Sequence, residues 1–237
     1  MGDIYYAMTL AALAGAAIPF GAWLARFDSL LPGQLRNEAN HWIMAFGAGA
    51  LLSAVALVLV PEGIARVHGL VALLALVLGA IAALLTDIAM SHREGSKAQF
   101  LAMLMDFIPE AVAMGAILTA KPSLALLLAV LIGAQNLPEG FNADRELEAS
   151  TSTPRGKRLL LFMALVPAGP IAAVLGITFF AGWPELLGTL MLFSAGGILY
   201  LMFQDIAPQV PVERHWSPPL GAILGFAFGL GGHILTL

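Results

Sequence analysis

The stretch MDFIPEAVAMGA, residues 105–116, places two carboxylates and a proline inside a long apolar run. Asp106 and Glu110 are four residues apart, so an α-helix turns both side chains toward one face. Pro109 lies between them and lacks the N–H that would bond to the carbonyl of Met105. Ionisable side chains at the middle of a membrane helix cost about 2.5–3.5 kcal/mol each on insertion scales. That cost argues against an accidental placement.

A second stretch, QNLPEG at residues 135–140, repeats the pattern of DFIPEA with an offset of 29 residues. Gln135 and Glu139 share a helical face in the same way, and Pro138 frees the carbonyl of Ala134. Two neighbouring helices therefore carry the same Pro-Glu step, each with two oxygen-bearing side chains on one face. We expect Pro109 and Pro138 to kink their helices, and a kinked helix with an unbonded carbonyl beside carboxylates can bind a cation.

The composition of the whole chain is that of an integral membrane protein. Of its 237 residues, 59% are hydrophobic and 11% are charged, and the mean hydropathy is +0.89. The absence of cysteine excludes a disulfide framework and a thiolate metal site. The formal net charge of −4 and the lack of long charged blocks argue against a nucleic-acid partner. There is no HExxH, GxSxG or GxGxxG motif to suggest an enzyme.

The hydrophobic pattern predicts a single all-α transmembrane domain over residues 1–237, with the lipid bilayer as its surroundings. A bilayer core needs about 20 apolar residues per helix, and eight stretches meet this requirement. Turn-forming segments separate them. The predicted spans are 5–26, 41–61, 69–90, 99–120, 123–143, 158–181, 184–205 and 218–237.

The distribution of Lys and Arg predicts the orientation of these spans. By the positive-inside tendency, we expect both chain termini to lie outside the cytoplasm. The opposite side of the membrane carries only Arg66 and Lys121. The basic residues of the first, third, fifth and seventh loops are Arg26, Arg36, Arg93, Lys97, Arg145, Arg155, Lys157, Arg158 and Arg214.

Two parts of the chain match each other without gaps. FGAGALLSAVALVLVP at 46–61 matches FSAGGILYLMFQDIAP at 193–208 with an offset of 147, and IPFG at 18–21 matches VPAG at 166–169 with an offset of 148. The predicted topology runs the two longer stretches in opposite directions. Inverted repeats are common in secondary transporters, where the substrate site lies near the midplane. The pattern predicts a 3+2+3 arrangement in which the two Pro-Glu helices form the central pair.

The three acids Asp106, Glu110 and Glu139 need neutralisation within the membrane. No Lys or Arg lies in the interior of a predicted span, which leaves protons or a bound cation. One alternative is a structural network in which protonated acids are hydrogen-bonded. The paired motifs favour a cation or proton pathway.

The last predicted helix carries a stripe of small residues. Gly221, Gly225 and Gly229 recur every four residues, and such a face lets helix backbones approach closely. Packing within one chain and packing between two chains, as in a homodimer, both remain open from this pattern.

The doubled Pro-Glu motif, the eight spans and the outward termini together resemble the ZIP (Zrt/Irt-like) family of divalent-metal transporters over nearly the whole chain. In that family the fourth span typically contains His-Asn-x-Pro-Glu-Gly and the fifth His-x-x-Pro-Glu-Gly. Here Asp106 and Gln135 stand where the family has histidine, and Phe107 stands where two-ion members supply an amide. The resemblance implies a divergent, prokaryotic-type member with one metal site.

The resemblance also implies that a divalent metal ion is the substrate of a multi-pass protein in the cell (inner or plasma) membrane. Asp106, Glu110 and Glu139 are then expected as anionic ligands, Gln135 as a neutral ligand, and Asn136 as a supporting or transient ligand. The loss of imidazole weakens the preference for Zn²⁺. Mn²⁺ and Fe²⁺, and even Mg²⁺ or Ca²⁺, therefore stand beside Zn²⁺ as substrates.

Two other functions stay open. The missing histidines are compatible with a ZIP-like membrane protein that has lost metal transport and acts as a scaffold or sensor. An intramembrane hydrolase that uses the Asp106–Glu110 pair is disfavoured, because no nucleophile or activating base accompanies these acids.

Overall fold

The structure, a computed structural model, describes residues 1–30, 32–90, 96–209 and 217–237. The described residues form helices and turns, and none of them lies in a strand. The predicted all-α fold class is therefore confirmed. The α-helices are α1 Gly2–Leu24, α2 Gly33–Ala54, α3 Val60–Ile64, α4 Gly69–Met90, α5 Ser96–Ile117, α6 Pro122–Ser150, α7 Arg155–Met163, α8 Ala168–Thr178, α9 Pro184–Leu201 and α10 Pro218–Ile234.

Six helical segments in the described part of the chain are long and apolar enough to cross a membrane. This number and length indicate a multi-pass membrane protein. The predicted spans at 99–120 and 218–237 coincide with α5 and α10, which are not among the six; α10 is an apolar helix of 17 residues. The six segments are Gly2–Asp28, Arg36–Ile64, Gly69–Ala89, Pro122–Ser150, Arg155–Gly182 and Pro184–Gln204.

Two helices extend well beyond their predicted spans. α2 begins at Gly33, so the polar segment QLRNEAN is helical although the sequence pattern predicts a loop there. α6 continues from the apolar part of its span to Ser150 through FNADRELEAS. Hydropathy marks where a chain is apolar, whereas Gln, Leu, Arg, Glu and Ala all favour helix whether or not lipid surrounds them. The apolar spans therefore predict less than the full length of these two helices.

The predicted span 158–181 is two helices rather than one. α7 ends at Met163, and residues 164–167 form a turn in which the Leu165 and Val166 N–H groups bond to carbonyls three residues back. Pro167 is the last residue of this turn, and the residue before a proline, here Val166, is disfavoured in the helical conformation. Pro170 removes a further backbone donor. The proline pair accounts for the break.

Two π-helical turns lie at matching positions of the predicted repeats. The first, Val55–Leu59, continues α2, and the second, Met202–Ile206, continues α9. Their starts and ends are separated by the same 147 residues that relate 46–61 to 193–208. π turns are rare and occur mostly as single-turn insertions inside α-helices. Two π turns separated by the repeat offset indicate an internal repeat more strongly than the matched apolar residues do.

The helices pack as two groups. α1, α5, α6 and α8 pack against one another, with α1 beside α6 and α5 beside α8. In the second group α2 packs along α10 and α4 packs along α9. The groups meet mainly where α6 contacts α2 and where α5 contacts α9. The α2–α10 and α4–α9 pairs thus each join a helix from the first half of the chain to one from the second half.

Close glycine contacts in the α2–α10 and α4–α9 pairs also correspond. A methyl group on Gly49 of α2 would overlap the Ala222 carbonyl of α10, and one on Gly196 of α9 would overlap the Leu76 carbonyl of α4. The two glycines are related by the offset of 147. The shorter match of 18–21 with 166–169 also extends to packing. A methyl group on Gly21 of α1 would overlap the Leu137 carbonyl of α6, and one on Gly169 of α8 would overlap the Phe107 ring of α5.

The glycine stripe of α10 is used within the chain. A methyl group on Gly225 would overlap the carbonyl of Phe46, and one on Gly229 would overlap Ser53, both in α2. Small residues at these positions therefore let α10 and α2 approach closely. A homodimer remains a prediction that must use another surface.

Candidate cation site

The two Pro-Glu motifs lie side by side on α5 and α6. Pro109 and Pro138 are both inside their helices, which continue on either side of them. Because proline lacks an N–H, each helix leaves one carbonyl without its usual partner four residues on. Asp106 and Glu110 line one turn of α5, and Gln135 and Glu139 line one turn of α6, as the spacing predicts.

Glu110 and Gln135 are joined by a hydrogen bond. Gln135 Nε2 donates to Glu110 Oε2 over 2.6 Å, and the exposed fractions of the two residues are 1% and 0%. The second oxygens, Glu110 Oε1 and Gln135 Oε1, are buried and have no hydrogen-bond partner among the described residues. An unsatisfied buried acceptor costs about 1–3 kcal/mol. The pair therefore presents two acceptor oxygens that need a donor or a cation.

Further acids surround this pair. Asp106 and Glu139 both lie close enough for their charges to act on that of Glu110, and Asp106 also acts on Glu139. However, no three His, Asp or Glu side chains of the described chain converge on one point in the arrangement that holds a metal. The predicted ligands therefore lie near one another, but their side chains are not arranged around a common metal position.

Asn136 has a different environment from the other predicted ligands. Its Nδ2 donates to the carbonyl of Ala14 in α1 over 3.0 Å, and the residue is 1% exposed. This bond fixes the turn of α6 that carries Gln135 against α1. Asn136 is therefore a residue that positions α6.

Phe107 occupies the equivalent position on α5, since it precedes Asn136 by the motif offset of 29. Its ring is fully buried and packs against Gly15 of α1 and Gly169 of α8. A methyl group on either glycine would overlap the ring. The space beside Asp106 is thus filled by an apolar ring.

Gly47 supports the site in a way that the motifs did not predict. A methyl group at Gly47 of α2 would overlap the ring of Pro138. Within the sequence Gly47 is one of many glycines in an apolar helix. The repeat match of FGAG with FSAG does not single it out either, because Ser194 stands at the position equivalent to Gly47.

The described ion pairs lie away from the Pro-Glu turns. Glu62 of α3 is 6% exposed and is paired with Lys121 Nζ at 2.5 Å and Arg66 at 2.7 Å. At the far end of α6, Arg158 pairs with Asp144 at 2.7 Å. Arg66 and Lys121, the two basic residues predicted on the outer side, thus share one acid. Arg93 and Arg214 lie outside the described residues.

Comparison with known proteins adds no relative. No protein-family model matches the chain, and no curated protein matches it. The doubled Pro-Glu motif and the geometry around it are therefore the basis for a functional proposal.

Proposed function

We propose that this protein transports divalent metal cations across a cell membrane through a single site between α5 and α6. The observation that supports the proposal is the pair of buried oxygens, Glu110 Oε1 and Gln135 Oε1, that lack a partner among the described residues. Both belong to residues that the Pro-Glu motifs mark as ligands. A divalent cation would satisfy both oxygens at once.

The charges near the pair favour a cation over a neutral hydrogen-bond donor. The charged side chains that act on Glu110 are Asp106 and Glu139, and both are acids. A cluster of acids inside a helical bundle is unfavourable without compensation. Protons or a metal ion supply it, and a metal ion can bind the carboxylate oxygen of Glu110 and the amide oxygen of Gln135 together.

The ligand types set the expected substrates. Carboxylate and amide oxygens suit Mn²⁺ and Fe²⁺ and are accepted by Zn²⁺. Glu110, Glu139 and Asp106 would be the anionic ligands, and Gln135 would be the neutral ligand through Oε1. The ring of Phe107 fills the neighbouring space, so one ion is expected rather than two.

The proposed membrane arrangement follows the ZIP family. It has eight spans in a 3+2+3 order with inverted repeats, both termini outside the cytoplasm, and residence in the inner or plasma membrane. The matched π turns and the matched α2–α10 and α4–α9 packing support the repeat. An axis through α5 and α6 would place the candidate site where the halves meet.

Uptake of Zn²⁺ and Mn²⁺ into proteoliposomes tests the function. We expect Glu110→Ala and Glu139→Ala to reduce uptake about tenfold or more, since loss of a charged partner costs about 1.5–3 kcal/mol. Glu148→Ala is the matched control, because Glu148 is an exposed acid at the end of α6. Equal uptake by the wild type and both site variants would contradict transport through this site.

A scaffold or sensor is the second candidate. It is favoured by the Gln135–Glu110 hydrogen bond, which already occupies one carboxylate oxygen, and by the lack of three converging ligands in the described part of the chain. Equilibrium binding of Mn²⁺ and Zn²⁺ to purified protein separates the two. Micromolar binding that is lost in Asp106→Ala would contradict a scaffold that does not bind metal.

A further inference from the structure

A polar stripe runs along α6 from the candidate site to the C-terminal end of the helix. Gln135, Glu139, Asn142 and Glu146 are spaced by four, three and four residues, so they share one helical face. The side chains of the last two touch, since Asn142 Nδ2 donates to Glu146 Oε1 over 2.7 Å. Exposure rises along the stripe, from buried Gln135 through half-buried Glu139 and Asn142 to exposed Glu146.

The opposite direction is apolar and closed. One and two turns before Gln135 on α6 lie Leu131 and Leu128, both fully buried. On α5 the motif offset of 29 makes Ala113 and Ile117 the equivalents of Asn142 and Glu146, and both are also buried. The two motifs therefore match at the site, but only α6 continues from it with oxygen-bearing side chains.

Other charged residues at this end of α6 point away from the stripe. Arg145 pairs with Asp28 at 3.1 Å beyond the end of α1, and Asp144 pairs with Arg158 of α7. These pairs hold α6 to its neighbours on its other faces. The stripe thus lies on the face that is left toward solvent at the helix end.

We propose that Asn142 and Glu146 line the path by which a divalent cation passes between the candidate site and the aqueous phase at the C-terminal end of α6. This inference rests on the proposed function. A cation that moves along this face can exchange its hydration waters for side-chain oxygens one at a time. An exposed carboxylate at the aqueous end of the path attracts cations. The apolar residues beyond Gln135 close the other direction in this conformation.

Labelling of introduced cysteines tests the path without requiring transport. The chain contains no cysteine, so single substitutions have no background. With a membrane-impermeant methanethiosulfonate reagent, we expect Asn142→Cys and Glu146→Cys to react about tenfold or more faster than Ala113→Cys and Leu131→Cys, since a buried thiol reacts only through local opening. The reagent should react from the cytoplasmic face only, so inside-out vesicles should be labelled and right-side-out vesicles should not. Mn²⁺ should slow the labelling.

The outcomes separate this inference from the proposed function. Equal labelling of Asn142→Cys and Ala113→Cys, labelling from the other face, or no effect of Mn²⁺ would overturn the path. Mn²⁺-protected labelling together with metal uptake that is insensitive to Glu110→Ala would leave the path standing and overturn the proposed site. In uptake assays we expect Glu146→Gln to slow transport at low ionic strength and Glu148→Gln to leave it unchanged.

Discussion

The Pro-Glu turns of α5 and α6 share a motif and a neighbour but differ in chemistry. Phe107 on α5 packs its ring on Gly15, while Asn136 on α6 donates a hydrogen bond to Ala14, the adjacent residue of α1. One contact is apolar and depends on shape, and the other is polar and depends on direction. The same turn of α1 therefore supports both halves of the site, which shows that repeat positions can be kept while their interactions diverge.

Of the changes to these two contacts, replacing Phe107 should reduce stability the most. Phe107→Ala removes a fully buried ring between α1, α5 and α8, and we expect a loss of about 3–5 kcal/mol in the free energy of unfolding. Denaturant unfolding in detergent micelles, followed by tryptophan fluorescence, measures it. Phe107→Leu, which keeps most of the volume, should lose less than half as much. Equal losses would show that the cavity is not the cause.

The next largest effect is expected at two glycines, one on each motif helix. Gly115 of α5 faces the carbonyl of Ala173, and Gly140 of α6 faces the carbonyl of Ile18, with nearly the same geometry. We expect Gly115→Ala and Gly140→Ala each to cost about 1–3 kcal/mol through overpacking.

Gly133→Ala on α6 is the control for this pair, because the nearest atom to its added methyl group is 3.7 Å away. It should be neutral or stabilising by up to about 1 kcal/mol, since alanine favours helix. Thermal unfolding of the three variants measures the difference. A destabilised Gly133→Ala variant would contradict the role of close helix approach.

Removing the polar contact should have a smaller effect than removing the ring. Asn136→Ala loses the bond to the Ala14 carbonyl, whose net contribution is about 0.5–1.5 kcal/mol. Because Asn136 positions Gln135, we also expect weaker Mn²⁺ binding, measured by calorimetric titration. An unchanged Mn²⁺ affinity in a destabilised variant would show that the contact serves folding alone.

The smallest effect is expected at the turn that joins the two motif helices. Lys121 is 51% exposed and pairs with Glu62, which Arg66 also holds. Lys121→Ala should cost about 0.2–1 kcal/mol, as exposed ion pairs do. The loss should shrink in high salt, and unfolding at two salt concentrations measures it. A larger loss that does not depend on salt would contradict this account.

Much of the site could be predicted from the motif spacing. The four-residue spacing of Asp106 and Glu110, and of Gln135 and Glu139, placed each pair on one face because a helix turns once in about 3.6 residues. Spacing within a helix carries no information about the rotation of its neighbour. The Glu110–Gln135 hydrogen bond and the partner of Asn136 therefore could not be derived. The same holds for Glu62, whose basic partners include one that is 59 residues away.

By itself the sequence determined that the chain is an all-helical membrane protein with two matched Pro-Glu helices and a repeat offset that the π turns share. Those features depend on composition and on local periodicity. Only the tertiary structure decided which side chains of α5 and α6 face each other, and that two oxygens of the predicted ligands, Glu110 Oε1 and Gln135 Oε1, are buried without partners among the described residues. These depend on which helix faces which, and packing of whole side chains sets that choice.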